Sequence, residues 1–402
     1  MTYTTAIDWL FSTQWFGIKL GLENTEYLLK KTLAYPDHGV KVVHVAGTNG
    51  KGSTCAMIDA IARASGRRTG LFTSPHLIDF RERIQVSGHM IPEEDCVRLL
   101  SELRGICEKM DSHPTFFEIT LVLAMRWFRE RQCEWIILET GMGGRHDATT
   151  AVPADICAIT PIGMDHAEWL GDTLDKIARE KAGIFLTGVP AISAPQDPEA
   201  AAALEQEANH KRTPLEFIDQ PLLGYHIALT GDHQAWNAAL AVQSLHKAGL
   251  PLTPDIVRHG LAQVSWPGRF ERIGTITLDG AHNPHAAQIL ADTWHAAFPG
   301  QKCALLFSAA SGKDISGILA LLAPLASCIF ICPLDSPRAL PAEEIAALLP
   351  GSSPPHECFE SFLSAFQSAQ TTRLPILIAG SLFLIGEARA HLKGGSFQSS
   401  SQ

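Results

Sequence analysis

No apolar run in the 402 residues reaches the roughly 20 positions that a membrane-spanning helix needs. Basic residues are in deficit: 32 Lys and Arg stand against 42 Asp and Glu, a formal net charge of −10. That balance argues against a nucleic-acid surface, although a local group of donors still binds an anion on an acidic protein. The nine cysteines include no CxxC pair and no disulfide framework, which fits a reducing compartment. The first residues, MTYTTAIDWLFSTQWF, have no basic stretch leading into an apolar core, so no leader is expected. No internal repeat recurs. These absences leave a soluble, cytoplasmic protein as the expectation, with neither nucleic acid nor membrane as partner. What is abundant is apolar residues, 46% of the chain. They suffice for sizeable cores in a chain too long for one ordinary domain.

Short apolar runs alternate with longer stretches of helical spacing. The runs include KVVHVAG (41–47), TGLFTS (69–74), WIILETG (135–141), ICAIT (156–160) and PAIS (190–193). A second set comprises TITLDG (275–280), CALLFS (303–308), CIFICP (328–333) and LPILIAG (374–380). STCAMIDAIARASG and DISGILALLAPLA show apolar spacing near 3.6. Strands alternating with helices predict an α/β chain built on mostly parallel sheets. Between the two sets, SWPGRFE (265–271) carries the proline and glycine of a linker. The expected division is therefore 1–267, 268–393 and a low-complexity, disordered tail at 394–402.

GTNGKGS (47–53) places three glycines and one lysine where a buried strand gives way to a helix. Glycines there let backbone N–H groups approach an anion closely, and the helix N-terminus adds a favourable dipole. Lys51 adds a full positive charge. The spacing departs from G-x-x-x-x-G-K-[ST]: the loop is shorter, and Gly52 stands where that pattern has its metal-binding hydroxyl, with Ser53 one place later. Some Mg²⁺ ligands are then expected from elsewhere. Such a loop does not separate a motor, a switch and a synthetase.

WIILETGMGGRHDATT (135–150) ends a second buried strand in Glu139. A carboxylate at the C-terminal end of a strand sits at the edge where open α/β sheets bind ligands, and there it can hold Mg²⁺ beside a triphosphate. MGGR and Asp147 form a loop near the same edge. His166, just beyond a third strand, serves either as a cap or core residue or as a metal ligand. Lys181, after a helical stretch, would by itself be a solvated lysine.

GTNGKGS, SPHL, RERIQVSG, FFEIT, ETGMGGRHDATT, HQAWNAA, PGRFE, LDGAHNP and GSLFLIGE occur in order. Across roughly residues 12–392 the chain closely resembles the folylpolyglutamate synthase/dihydrofolate synthase family of the Mur ligase superfamily. The resemblance implies a P-loop NTPase-like N-terminal domain that binds ATP and a smaller, Rossmann-like C-terminal domain. It also implies a monomer acting on dihydropteroate, tetrahydrofolate, L-glutamate and ATP. A pteroate or folate carboxylate is phosphorylated by ATP, glutamate's amine attacks the acyl phosphate, and the tetrahedral intermediate collapses to amide and phosphate. Carboxylates are poor electrophiles with poor leaving groups. Phosphorylation corrects both, while metal and lysine neutralise the developing charge.

By the same resemblance Gly50, Lys51, Gly52 and Ser53 cradle the phosphates, and Ser74, Glu139 and His166 are the Mg²⁺ ligands. Lys51, Lys181 and His166 are the residues expected in catalysis. Lys181 matches a lysine that the family often carbamylates, which turns a cation into an anion that favours a second divalent ion. The Ser74–Pro75 bond is a candidate for cis. Asn237, Arg269, Asp279 and His282 are expected at the nucleotide, the last three reaching in from the linker and second domain. Phe117, Glu118, Asp147 and Ala148 are expected around the pterin, Phe117 by stacking or simply as core, and Asp147 by accepting two hydrogen bonds from the heterocycle edge. Residues 12–15, STQW, fall where the family meets pteroate.

The chain departs from the family at several positions. His146 replaces a usual Leu, Thr140 and Met142 a usual Val and Leu, Thr150 a usual Asn, and Gly312 an Asp before the KD pair. The connection from Arg269 to Asp279 is short, which predicts a trimmed hairpin. Three rivals compete with the ligase reading. Peptidoglycan-type Mur ligases need an extra N-terminal domain, for which the 46 residues before Gly47 are too few. A nucleotide-driven switch or transporter would turn over ATP without glutamate. A non-catalytic binding protein would have lost the metal ligands, yet Ser74, Glu139, His166 and Lys181 are all present.

Overall fold

The computed structural model describes residues 2–16, 21–336, 338–395 and 397–398, with the side chains of residues 15 and 16 outside that set. The first unit contains β1 (Lys41–Ala46), β2 (Thr69–Phe72), β3 (Ile84–Val86), β4 (His89–Met90), β5 (Trp135–Glu139), β6 (Ile156–Ile159), β7 (Ala191–Ser193) and β8 (Leu215–Phe217). They form one sheet in the order β4-β3-β2-β5-β1-β6-β7-β8. Pairing is parallel from β2 to β8 and antiparallel only at β2–β3 and β3–β4.

The central strands are continuous apolar runs because both faces are covered. In β1, Val42 and Ala46 enter one core while Val43 and Val45 enter the other. The glycine-loop helix, Lys51–Ala64, is buried from Gly52 to Ala62. Helices His233–Lys247 and Pro254–Gln263 pack against it. On the opposite face, Phe116–Glu130 starts at a capping box in which Thr115 and Glu118 bond each other's backbone N–H.

The second unit contains β9 (Glu271–Ile273), β10 (Ile276–Leu278), β11 (Cys303–Phe307), β12 (Ala326–Ile331), β13 (His356–Cys358) and β14 (Ile376–Ala379), in the order β13-β12-β11-β14-β10-β9. Only β9–β10 is antiparallel; Ile276 pairs with Ile273 across a two-residue turn, the trimmed hairpin expected from the short connection. Along β11, Leu305 and Phe307 face one core, Ala304 and Leu306 the other. The chain crosses between units at 264–270: Trp266 packs on the first unit's core and Phe270 belongs to the second's.

Part of the expected tail is described. Gln398 N donates to Ile78 O at 2.9 Å, and its Oε1 accepts from Phe80 N at 2.9 Å, so the described end of the tail is hydrogen-bonded to the first unit. Residues 396 and 399–402 of that tail lie outside the described residues. All nine cysteines are free thiols. Among the described residues no helix is long and apolar enough to cross a membrane.

Candidate active site

Parallel pairing puts the C-terminal ends of β1, β2, β5 and β6 at one edge. Val45 pairs with Glu139 and Ala46 with Ile159, so the glycine loop, Ser74, Glu139 and the 160–166 segment converge there. A cleft of about 1280 Å³ lies between this edge and the second unit. Every site residue expected from the sequence lines it: Gly50, Lys51, Gly52, Ser53, Ser74, Phe117, Glu118, Glu139, Asp147, Ala148, His166, Lys181, Asn237, Arg269, Asp279 and His282. Gln14 lines it too; the side chain of Trp15 lies outside the described residues.

The loop needs its first glycine. Gly47 has φ +146, and a Cβ there would fall 1.9 Å from Thr160 Oγ1. Two lysines meet on its carbonyl: Lys51 Nζ donates to Gly47 O at 3.1 Å and Lys181 Nζ donates to the same oxygen at 2.8 Å. Lys51 also donates to Thr48 O at 3.2 Å. Lys181 is buried. Burial, with the Lys51 charge next to it, pulls its amine down to about 7. Two lysines on one carbonyl, the buried one losing its charge readily, form a site that an anion would stabilise.

Glu139 is buried at the end of β5, and its Oε2 accepts from Ser74 N at 3.1 Å. Burial pushes its carboxyl up, against Lys51, the Ser74 bond and Arg269. The Ser74–Pro75 peptide is cis, as expected. His166 is half-buried with left-handed backbone, φ +51. Burial lowers its imidazole to about 4, with Asp165 opposing and Lys313 and Lys51 reinforcing. The ring is therefore in the neutral form that ligates metals. Among the described residues no group of three or more His, Cys, Asp or Glu could hold a metal ion. A hydroxyl at Ser74, a carboxylate at Glu139 and a neutral imidazole at His166 would make up only part of a coordination shell, which Mg²⁺ would complete from phosphate and water.

From the second unit, Asp279 at the end of β10 accepts from Phe270 N at 2.8 Å and Ala281 N at 2.9 Å. Burial raises its carboxyl against the Arg269 charge. Asn237 lies against the loop: a Cβ on Gly50 would be 2.8 Å from its Oδ1. His282 Nδ1 is 2.8 Å from Gly280 O.

Asp147 and Glu118, both expected at the substrate, also hold backbone in place. Both Asp147 oxygens are already engaged. Oδ2 accepts from Gly141 N at 2.8 Å and Met142 N at 2.9 Å, while Oδ1 accepts from Thr149 N at 3.0 Å and Thr149 Oγ1 at 2.5 Å. Burial pushes this carboxyl up, against the bonds from Thr149, Met142 and Gly141. It ties the 141–149 turn, which Thr150 also closes by donating to Gly144 O at 2.6 Å. Glu118 Oε2 accepts from Thr115 N at 2.7 Å and its Oε1 accepts from Thr25 Oγ1 at 3.2 Å. It orients the helix that carries Phe117. Asp147→Asn is expected to cost about 2–4 kcal/mol of stability, because the amide turns donors toward donors. A urea midpoint equal to that of the parent chain would refute this anchoring role.

Asp165 was legible only as a neighbour of His166. Its nearly buried carboxylate pairs with Lys313, lies 3.4 Å from His282 Nε2 and accepts from Asn283 Nδ2 at 3.3 Å. Against burial, the His282 contact and the neighbouring His166 and Lys313 hold it well below the usual carboxylate range. Asn49 and Asn283 exchange amide hydrogen bonds at 3.2 and 3.1 Å. These bonds join the units across the cleft. Their partners stand more than a hundred residues apart, so no local pattern announces them.

Comparison with known proteins agrees over nearly the whole chain. Residues 45–218 match the Mur ligase middle domain and 268–382 the Mur ligase glutamate ligase domain. The chain is 32% identical to the Bacillus subtilis dihydrofolate synthase/folylpolyglutamate synthase, over 97% of this chain and 99% of that protein. It superposes on the Escherichia coli FolC structure in complex with DHPP and ADP with a TM-score of 0.87 at 31% identity, covering 97% and 98% of the two chains. For the Yersinia pestis bifunctional synthase complexed with AMPPNP and Mn ion, the values are 0.88 and 30%, over 98% of each chain.

Proposed function

The chain belongs to the folylpolyglutamate synthase/dihydrofolate synthase family of Mur ligases and is an ATP-dependent acid–amino-acid ligase, and from that premise we propose how its own residues divide the work. ATP lies along the glycine loop, with Lys51 on its phosphates and Asn237 beside the loop. Arg269 and Asp279 close on it from the second unit. Ser74, Glu139 and His166 hold Mg²⁺, which when bound neutralises charge on the phosphoryl oxygens. The acceptor is the carboxylate of a dihydropteroate or reduced folate, with its ring between Phe117 and the 146–148 backbone. L-glutamate supplies the amine. Closure of the two units excludes water from the acyl phosphate.

The observation that carries this assignment is the meeting of Lys51 and Lys181 on Gly47 O. Two ammonium groups so close repel, and bound anions relieve them: phosphate at Lys51 and a carbamate on Lys181. In the neutral amine, the Lys181 lone pair attacks carbon dioxide, the N–C bond forms and a proton leaves to solvent.

The reaction is tested by phosphate release with ATP, Mg²⁺ and L-glutamate, offering dihydropteroate and tetrahydrofolate separately and weighing the product. Phosphate is expected only when glutamate and an acceptor are both present, with one new amide per phosphate. Equal release without either one would overturn the assignment. The two acceptor arms decide which carboxylate the chain prefers beside the exposed His146.

A further inference from the structure

The segment 74–80 touches both units. At one end Ser74 N bonds Glu139. In the middle, Leu77 belongs to a core of the second unit, where its carbonyl runs against Gly386; a Cβ on Gly386 would lie 2.2 Å from Leu77 O and 2.8 Å from the Phe397 ring. Only glycine admits that approach. Phe397 thereby brings the chain end onto 76–80. Gln398 then makes three hydrogen bonds: its N donates to Ile78 O at 2.9 Å, its Oε1 accepts from Phe80 N at 2.9 Å, and its carbonyl lies 3.1 Å from His76 Nε2.

His76 continues inward. Its Nδ1 accepts from Arg83 Nε at 2.8 Å, so Nε2 carries the proton and donates to the Gln398 carbonyl. Arg83 is fully buried, with its guanidinium 5.1 Å from the Phe116 ring centroid. Its backbone carbonyl accepts from Thr73 N at 3.1 Å, one residue before Ser74. A chain of contacts thus runs from the C-terminal tail through His76 and Arg83 to Thr73, beside the Ser74 N–H that bonds Glu139.

We propose that Phe397 and Gln398 form a strap that positions the Ser74–Glu139 edge of the phosphate site through His76 and Arg83. The proposal rests on the reading of Ser74 and Glu139 as metal ligands. None of the strap residues touches substrate; they are positioning residues. Partners behind a metal ligand typically set affinity by 10–100-fold.

The test compares the full chain with one ending at Gly395, and with His76→Ala and His76→Gln. Deletion of 396–402 and His76→Ala are each expected to raise the Mg²⁺ concentration for half-maximal ligation about tenfold. His76→Gln, whose amide both donates and accepts, should recover most of the loss. Deuterium exchange of amides 76–80 in the metal-free protein should quicken on deletion. Unchanged exchange after deletion overturns the strap itself. Faster exchange with an unchanged Mg²⁺ curve overturns its link to the site. A Ser74→Ala control with an unmoved Mg²⁺ curve overturns the metal reading beneath it, a failure distinct from unchanged exchange.

Discussion

Lys51→Ala lowers amide formation by at least about a hundredfold with either acceptor, the scale on which a positioned electrostatic donor acts in a transition state. The ammonium sits at the mouth of the glycine loop, 3.1 and 3.2 Å from the Gly47 and Thr48 carbonyls. Charge accumulates on the transferred phosphoryl group there, and alanine removes the only side-chain cation that the loop itself brings to it. The substitution also has a second signature. Lys51 is the neighbouring charge that helps hold the Lys181 amine down. Without it, Lys181 holds its proton more tightly, and the acid limb of the residual pH–rate profile moves to higher pH. The measurement is product formation with saturating ATP and glutamate across pH 6–9. A variant within threefold of the parent chain would remove Lys51 from the reaction.

Lys181→Met gives a protein that is more stable and inactive. The Lys181 amine lies near 7, well below the usual 10.5 of a lysine, because it is buried beside Lys51. Between those values the unfolded chain binds a proton that the folded chain does not, so folding stability rises with pH across that window. Below about 7 both states are protonated and the full cost of the buried charge is present. Replacing the lysine by a methionine of similar length therefore helps most at acid pH, by about 1–4 kcal/mol, the range seen when buried ionic groups give way to packed apolar ones. The benefit fades toward pH 10.5. Ligation is lost throughout, because methionine can neither carry a carbamate nor ligate through it. Denaturant midpoints in metal-free buffer at pH 6 and pH 9 check the first half. Carbon-13 bicarbonate, followed by NMR, checks the second: the parent chain shows a carbamate resonance that the variant lacks. A methionine variant that still joins glutamate to its acceptor would sink the role given to Lys181.

The central strands were legible because a strand covered on both faces must be apolar throughout, as β1, β5 and β11 are. The strands that sequence reading missed are short and lie at or near the sheet edges. His89–Met90 is exposed, and Leu215–Phe217 and His356–Cys358 are only partly buried. Their pairing is set by a neighbouring strand that already exists, so their own residues carry no alternation to detect. The reading of the tail as disordered followed from its composition. Gly395 is followed by few apolar residues, yet Phe397 packs close to Gly386 and Gln398 finds three hydrogen-bonding groups on His76, Ile78 and Phe80. Asp147 was legible as a carboxylate near the ligand edge; that it also gathers four donors from the turn around it was not, because those donors come together only when the turn has formed.

By itself the sequence determined the alternation of strand and helix, the anion-binding glycine loop, and the residue types available for metal and phosphate chemistry. Each of these is written within a few consecutive residues, where turn geometry, side-chain period and charge act locally. Tertiary structure alone decided that Lys51 and Lys181 share the Gly47 carbonyl, that Asp165 faces Lys313 and His282, and that Gln398 reaches His76. Hydrogen bonds and charge–charge interactions depend on distances of a few ångströms between groups far apart in the chain, and those distances exist only after the two sheets have packed.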